Sequence, residues 1–239
     1  MLYWLLLIIF ASFISILFFQ PHWILAIIEL LIPGVVYFAK THDNLIALTI
    51  DDSPDKDTTQ ILLNILRENQ VKATFFIISN QVFANEAIIQ TMVTDGHELG
   101  NHMTEDKPSI KLSPEEFATD LLKAHSVISR LDKIHWFRPA SGWYNSEMLK
   151  TAKKNGYRTA LGSVFPYDTL IESSWFAVNH ILFNIRPGSI IVLHDGNSRG
   201  QRTAKTLAKI LPILKNRGYK FVTLSELFAK DNSISGQFF

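Results

Sequence analysis

The 239-residue chain predicts an α/β domain of parallel strands wrapped by helices. Three observations predict it. From Leu45 onward short apolar runs alternate with helix-patterned segments, helix caps and breakers fall between them, and about 200 residues remain for one core once the first 39 are set aside. Alternation alone leaves open whether the strands close into a barrel or lie in an open doubly wound sheet.

Taken in chain order, residues 2–19 are apolar apart from Ser12 and Ser15, close to the length that crosses a bilayer core as a helix. No Lys or Arg precedes Lys40 and no small-residue cleavage pattern follows Phe19, so an uncleaved anchor is expected rather than a signal peptide. The next apolar stretch, 23–39, carries Glu29 and the pair Pro33-Gly34 and is expected to form an interfacial helix followed by a strand. Residues 1–39 are thus an N-terminal membrane anchor region, 40–230 the catalytic domain and 231–239 a short tail. Six runs read as strands: 45–50, 73–78, 135–138, 159–165, 190–194 and 221–223. Between them, 58–69 has helical spacing, a further helix ends near Gly96, and Ser113-Pro114-Glu115-Glu116 supplies an N-cap, a first-turn proline and a capping-box glutamate. Asn145 caps a helix running to Asn155-Gly156, and 202–216 ends at Arg217-Gly218 despite the interior Pro212.

Net charge is only +1, with basic residues scattered among acidic ones, so there is no electrostatic footprint for nucleic acid. The chain has no cysteine, which excludes disulfides and thiolate metal sites and leaves His, Asp and Glu as strong ligands. Nothing in the pattern fixes an oligomeric state.

Four clusters sit where strands end, the place at which α/β folds carry their chemistry. The run 45–50 leads into Asp51-Asp52-Ser53-Pro54, two adjacent carboxylates able to take different roles; the same residues also make ordinary turns. A second cluster, from His97 to Asp106, is dense in possible ligands, with His102 and Asp106 four apart and on one face if the segment turns helically. Those two with a carboxylate from Asp51 or Asp52 would make a three-ligand metal site with open positions. In the third, Arg138 can lock a carboxylate, the loop's backbone amides can face an oxyanion, and Trp143 and Tyr144 suit the apolar face of a sugar. The fourth ends a buried strand in His194, a candidate proton donor. Each cluster alone also reads as a loop or a structural residue; four at strand ends are harder to set aside.

In order and spacing these pieces resemble the polysaccharide deacetylase family, the NodB-like carbohydrate esterases, across residues 45–228. Thr49-Ile50-Asp51-Asp52-Ser53-Pro54 is similar to the family's opening motif, which implies Asp51 as general base and Asp52 as metal ligand. His102-Met103-Thr104-Glu105-Asp106 parallels a motif with a histidine at each end, implying His102 as ligand and placing Asp106 where the second histidine stands. Arg138-Pro139-Ala140-Ser141-Gly142 implies that Arg138 orients Asp51 and that the Ser141 amide binds the oxyanion; Leu193-His194-Asp195 implies His194 as general acid, with Asp168 tuning it. The resemblance further implies a distorted (β/α) barrel and a divalent ion. Two carboxylates and one imidazole shift preference towards harder ions such as manganese, iron or cobalt, with zinc still competing. Departures are Ser53, Asp106, Ser141, Phe165 and Thr169.

The expectation is a metal-dependent hydrolase that removes N-acetyl groups from an amino-sugar polymer, chitin-like or peptidoglycan-like. It is expected at the membrane through a single-pass anchor, with its catalytic domain on the extracytoplasmic side, although Lys40 and Lys56 follow the anchor. Its rivals are an amidase for a small acetylated amine or ureide and an inactive, anchored carbohydrate-binding module.

Overall fold

The computed structural model describes residues 2–231. The chain runs α1 (Leu2–Phe19), α2 (His22–Leu31), β1 (Val35–Val36), β2 (Leu45–Ser53), α3 (Thr59–Glu68), β3 (Thr74–Ile77), α4 (Glu86–Thr94), β4 (Glu98–Asn101), α5 (Pro114–Ile128), β5 (Trp136–Phe137), α6 (Ser146–Lys154), β6 (Arg158–Ala160), α7 (Ser174–Asn184), β7 (Ile190–His194), α8 (Asn197–Asn216), β8 (Lys220–Val222) and α9 (Leu224–Phe228). The strands pair in the order β1-β6-β5-β4-β3-β2-β7, with β8 also on β2, and every one of these pairings is parallel.

The sheet curls into a parallel half-barrel. Its flanks meet through isolated bridges, Val164 with Ile191 and Phe38 with Ser189, rather than through a continuous ladder. Gly162 permits that approach, because a Cβ there would lie 2.3 Å from Cγ2 of Val192 and 3.0 Å from the Ile190 carbonyl oxygen.

Period-2 alternation along the strands separates two cores. On β2, Ile46, Leu48 and Ile50 face the helices and join the large cluster with Leu62, Leu66, Leu207 and Leu211, while Ala47 faces the concave side with Phe76, Trp136 and Ile190. The concave parity continues to Thr49 and Asp51 on β2, to Gly100 and then His102 after β4, to Trp136 and then Arg138 after β5, and to Ile190, Val192 and His194 on β7. Four chemically capable side chains therefore reach the same mouth of the curl because each continues an inward-facing row.

The expected helix boundaries hold at Ser113, whose side chain accepts from the Glu116 amide in a capping box, and at Asn145, which accepts from the Met148 amide. Three differences from expectation are informative. β4 stands where no strand was expected; α8 starts at Asn197 rather than 202; and residues 102–106 form no helical turn, because Met103 takes a left-handed φ of 72°.

The expected single-pass membrane anchor is not supported by the structure. Among the described residues no helix is long and apolar enough to cross a membrane. α1 has 18 residues, about 27 Å of helix against a hydrocarbon core of about 30 Å. Its last turn is also occupied: Phe18 packs edge-on against His180 and Phe176 of α7, and Asn184 donates to the Phe18 carbonyl. At the corner that follows, the Gln20 amide makes two bonds to the Phe165 backbone, at 2.7 and 2.8 Å. α2 followed by β1 matches the helix-then-strand order expected over 23–39; Leu25, Ala26 and Ile28 pack on Val35, Tyr37, Phe38 and Leu149, while Trp23, Ile27, Leu30 and Leu31 are exposed. Of the expected tail, residues 232–239 lie outside the described residues, and Asp231 is buried, accepting from the Lys40 amide.

Candidate active site

Asp51 is the centre of the mouth. Its Oδ1 accepts from Nη1 of Arg138 at 2.5 Å, while Oδ2 lies 4.0 Å from Nε2 of His102 and 3.9 Å from Nε2 of His194. One oxygen is thereby pinned and the other left between two imidazoles. Arg138 is itself buried and almost fully satisfied: Nη1 also donates to Thr49 Oγ1, Nε to the Ala160 carbonyl and Nη2 to the Leu161 carbonyl, and its plane lies 4.1 Å over the Phe76 ring. A buried guanidinium needs this many partners to offset its desolvation.

Asp52 escapes strand alternation through a left-handed backbone, φ 65°, so that it too faces the site. Its Oδ1 lies 3.5 Å from Nε2 of His102, and its Oδ2 is buried without a hydrogen-bond donor although Nη1 of Arg199 lies 3.0 Å away. Burial works against its ionised form, but His102, His194 and Arg199 together hold its carboxyl below the usual range.

His102 fits a cation ligand. Nδ1 meets the Arg138 carbonyl at 2.8 Å, which makes it the donor and turns the Nε2 lone pair towards the carboxylates of Asp51 and Asp52. A lone pair facing two buried carboxylates calls for positive charge between them; burial disfavours a charged imidazole here, yet the two carboxylates hold it above the ordinary value. Asp52 and His102 are thus suited to a divalent ion. The expected third ligand is not with them. Asp106 is half-exposed and paired to Nη2 of Arg199 at 3.3 Å. Among the described residues, no group of three or more His, Cys, Asp or Glu could hold a metal ion.

His194 receives the Asp168 carboxylate on Nδ1 at 3.0 Å and also donates its backbone amide to Asp168 at 2.9 Å, leaving Nε2 towards Asp51. Burial alone would lower this imidazole; Asp168, with Asp51 and Asp52, overrides it and raises the pKa to about 9. His194 is accordingly protonated at neutral pH. The Phe165 ring meets it edge-on at 5.9 Å. The neighbouring Asp195 is not turned to the site: Ser53, Thr58 and Thr59 donate to it, tying the β7 end to the start of α3.

The residues expected to touch substrate divide. Ser141 is exposed at φ 67°, the left-handed turn that follows Arg138-Pro139-Ala140. Trp143 is 69 % exposed and free to meet a sugar face. Tyr144 is half-buried, its hydroxyl paired with that of Tyr37 at 2.7 Å, so it anchors the loop rather than facing outward. Arg199 was not singled out in the sequence. A basic residue in the first turn of a helix, against the positive end of its dipole, is the signal that could have marked it.

Comparison with known proteins agrees with this geometry. A sequence model described as polysaccharide deacetylase matches residues 38–160. A peptidoglycan-N-acetylglucosamine deacetylase of Bacillus cereus is 37 % identical over 196 residues, covering 81 % of this chain and 92 % of its own. Among solved structures, a peptidoglycan N-acetylglucosamine deacetylase bound to a benzamide compound superposes with a TM-score of 0.77 at 29 % identity, over 82 % of this chain and 94 % of that one. A carbohydrate esterase family 4 pseudoenzyme from Bacillus anthracis follows at TM-score 0.75 and 27 % identity, over 82 % and 69 %.

Proposed function

Because the chain belongs to the polysaccharide deacetylase family and is a hydrolase of carbon–nitrogen bonds, we propose that it removes N-acetyl groups from an amino-sugar polymer, peptidoglycan-like or chitin-like, with a divalent ion held by Asp52 and His102. The observation that carries the reading is the arrangement around Asp51, one oxygen fixed by Arg138 and the other open between two imidazoles.

A divalent ion held by Asp52 and His102 would supply Lewis-acid polarisation to the acetyl carbonyl; zinc, or a harder ion such as manganese, iron or cobalt, would suit these donors. The chain's own groups do the rest. Asp51 Oδ2 takes a proton from the attacking water, and Arg138 keeps that carboxylate aimed. His194, protonated by virtue of Asp168, delivers its Nε2 proton to the departing sugar amine. The Ser141 amide shares the charge that grows on the acetyl oxygen, and Trp143 offers a platform for the ring. The peptidoglycan-type substrate is favoured by the names of the relatives, and a domain acting on such a substrate would work on the extracytoplasmic side.

The test is acetate release from a panel of peptidoglycan glycan strands, chitin oligomers and acetylated polyamines, with divalent ions supplied. Turnover of the sugars and not the polyamines is expected. Preference for the polyamines would transfer the site to small amides, and no turnover on any of them would favour the inactive carbohydrate-binding reading.

A further inference from the structure

The site contains a cation of its own. Arg199 stands in the first turn of α8, where the helix dipole disfavours positive charge. What holds it there is a fork onto two carboxylates from distant parts of the chain, Nη1 at 3.0 Å from Asp52 Oδ2 and Nη2 at 3.3 Å from Asp106 Oδ2. The start of α8 is set by close packing: a Cβ at Gly200 would lie 2.4 Å from Thr58 Oγ1 and 2.8 Å from Asp195 Oδ1. The guanidinium is therefore brought to these oxygens by the fold.

The two contacts differ in quality. Asp106 accepts a hydrogen bond, whereas the Asp52 contact is Coulombic only, and Asp52 Oδ2 remains a buried oxygen without a donor. An oxygen in that condition gains more from a small, highly charged ion than from a misaligned guanidinium.

We propose that Arg199 guards the cation site: its guanidinium bridges Asp52 and Asp106 and must leave Asp52 when a divalent ion binds. The inference rests on the proposed assignment of Asp52 and His102 to that ion. It also accounts for Asp106, which is kept by Arg199 as a counter-charge instead of standing with the ligands. Arg199 is a positioning residue whose effect is on ion affinity.

The test is direct ion binding to the full chain, with cobalt(II) followed by its visible absorption and zinc by competition with a chromophoric chelator. Arg199→Ala and Arg199→Gln are compared with the parent, their folding checked by circular dichroism. Both variants are expected to bind about fivefold more tightly, the scale of one partly exposed ion pair. The glutamine keeps much of the bulk and removes the charge, so agreement between the two assigns the effect to charge. Unchanged or weaker binding in both would overturn the guard while leaving the ion assignment standing. Binding by none of the three would remove the ion assignment and the guard with it.

Discussion

Replacing Asp168 with Asn separates charge from shape at the proposed acid. Asparagine keeps an oxygen that can accept from Nδ1 of His194, now 3.0 Å from the Asp168 carboxylate, but removes the negative charge. In the parent protein His194 rises from 6.5 to about 9, which corresponds to about 3 kcal/mol of preference for the charged imidazole. The side chain is 13 % exposed, so solvent screens little of this. Because the folded-state value is raised, the stabilisation is fully present below 6.5 and is lost as pH climbs through about 9. Without Asp168, burial becomes the dominant influence, opposed only by the carboxylates of Asp51 and Asp52. The midpoint is expected to fall by about two pH units, in line with the removal of one adjacent carboxylate. The assay is a titration of histidine-labelled protein by NMR, with urea unfolding at several pH values between 6 and 10. The parent should lose about 3 kcal/mol more than the variant across that window. An imidazole still titrating near 9 in Asp168→Asn would refute the assignment of Asp168 as the cause.

Other substitutions test the scaffold and the rim. Arg138→Met leaves Asp51 buried without its partner and should cost about 3–5 kcal/mol in denaturant unfolding. Gly162→Ala forces a methyl group against Val192 and the Ile190 carbonyl where the sheet flanks meet; about 1–3 kcal/mol of destabilisation is expected from the same measurement. Trp143→Ala, at an exposed position, should leave stability within about 0.5 kcal/mol while raising KM on a polymeric substrate more than it lowers kcat.

The parts of this architecture that could be read in the sequence are those specified locally. β7 matches its apolar run at both ends, and β2 begins as expected, because parallel strands buried on both faces are continuous hydrophobic runs. Asp51 and His194 follow from them, being the last inward positions of those runs. β4 was illegible for the opposite reason: it is four residues, Glu98–Asn101, polar at both ends, and exists because β3 and β5 flank it. α7 escaped notice because Trp175, Phe176, Val178, Ile181, Leu182 and Phe183 surround it with apolar side chains, one side meeting the core and another Phe18. Without a polar face the helical period is hidden. The pairing of Asp106 with Arg199 spans 93 residues, and no local pattern announces it. At the N-terminus the apolar run gives no sign that Phe18 and Gln20 at its end pack against α7 and the Phe165 backbone.

The central claim is that Asp51 activates water for removal of an N-acetyl group from an amino sugar. The most direct measurement is stoichiometric: acetate released and free amines formed on peptidoglycan glycan strands, by the full chain and by Asp51→Asn, with divalent ions supplied and ion content measured in both. The account predicts equal yields of acetate and amine from the parent and none from the variant, with ion content the same in the two. Acetate release retained by Asp51→Asn would contradict it.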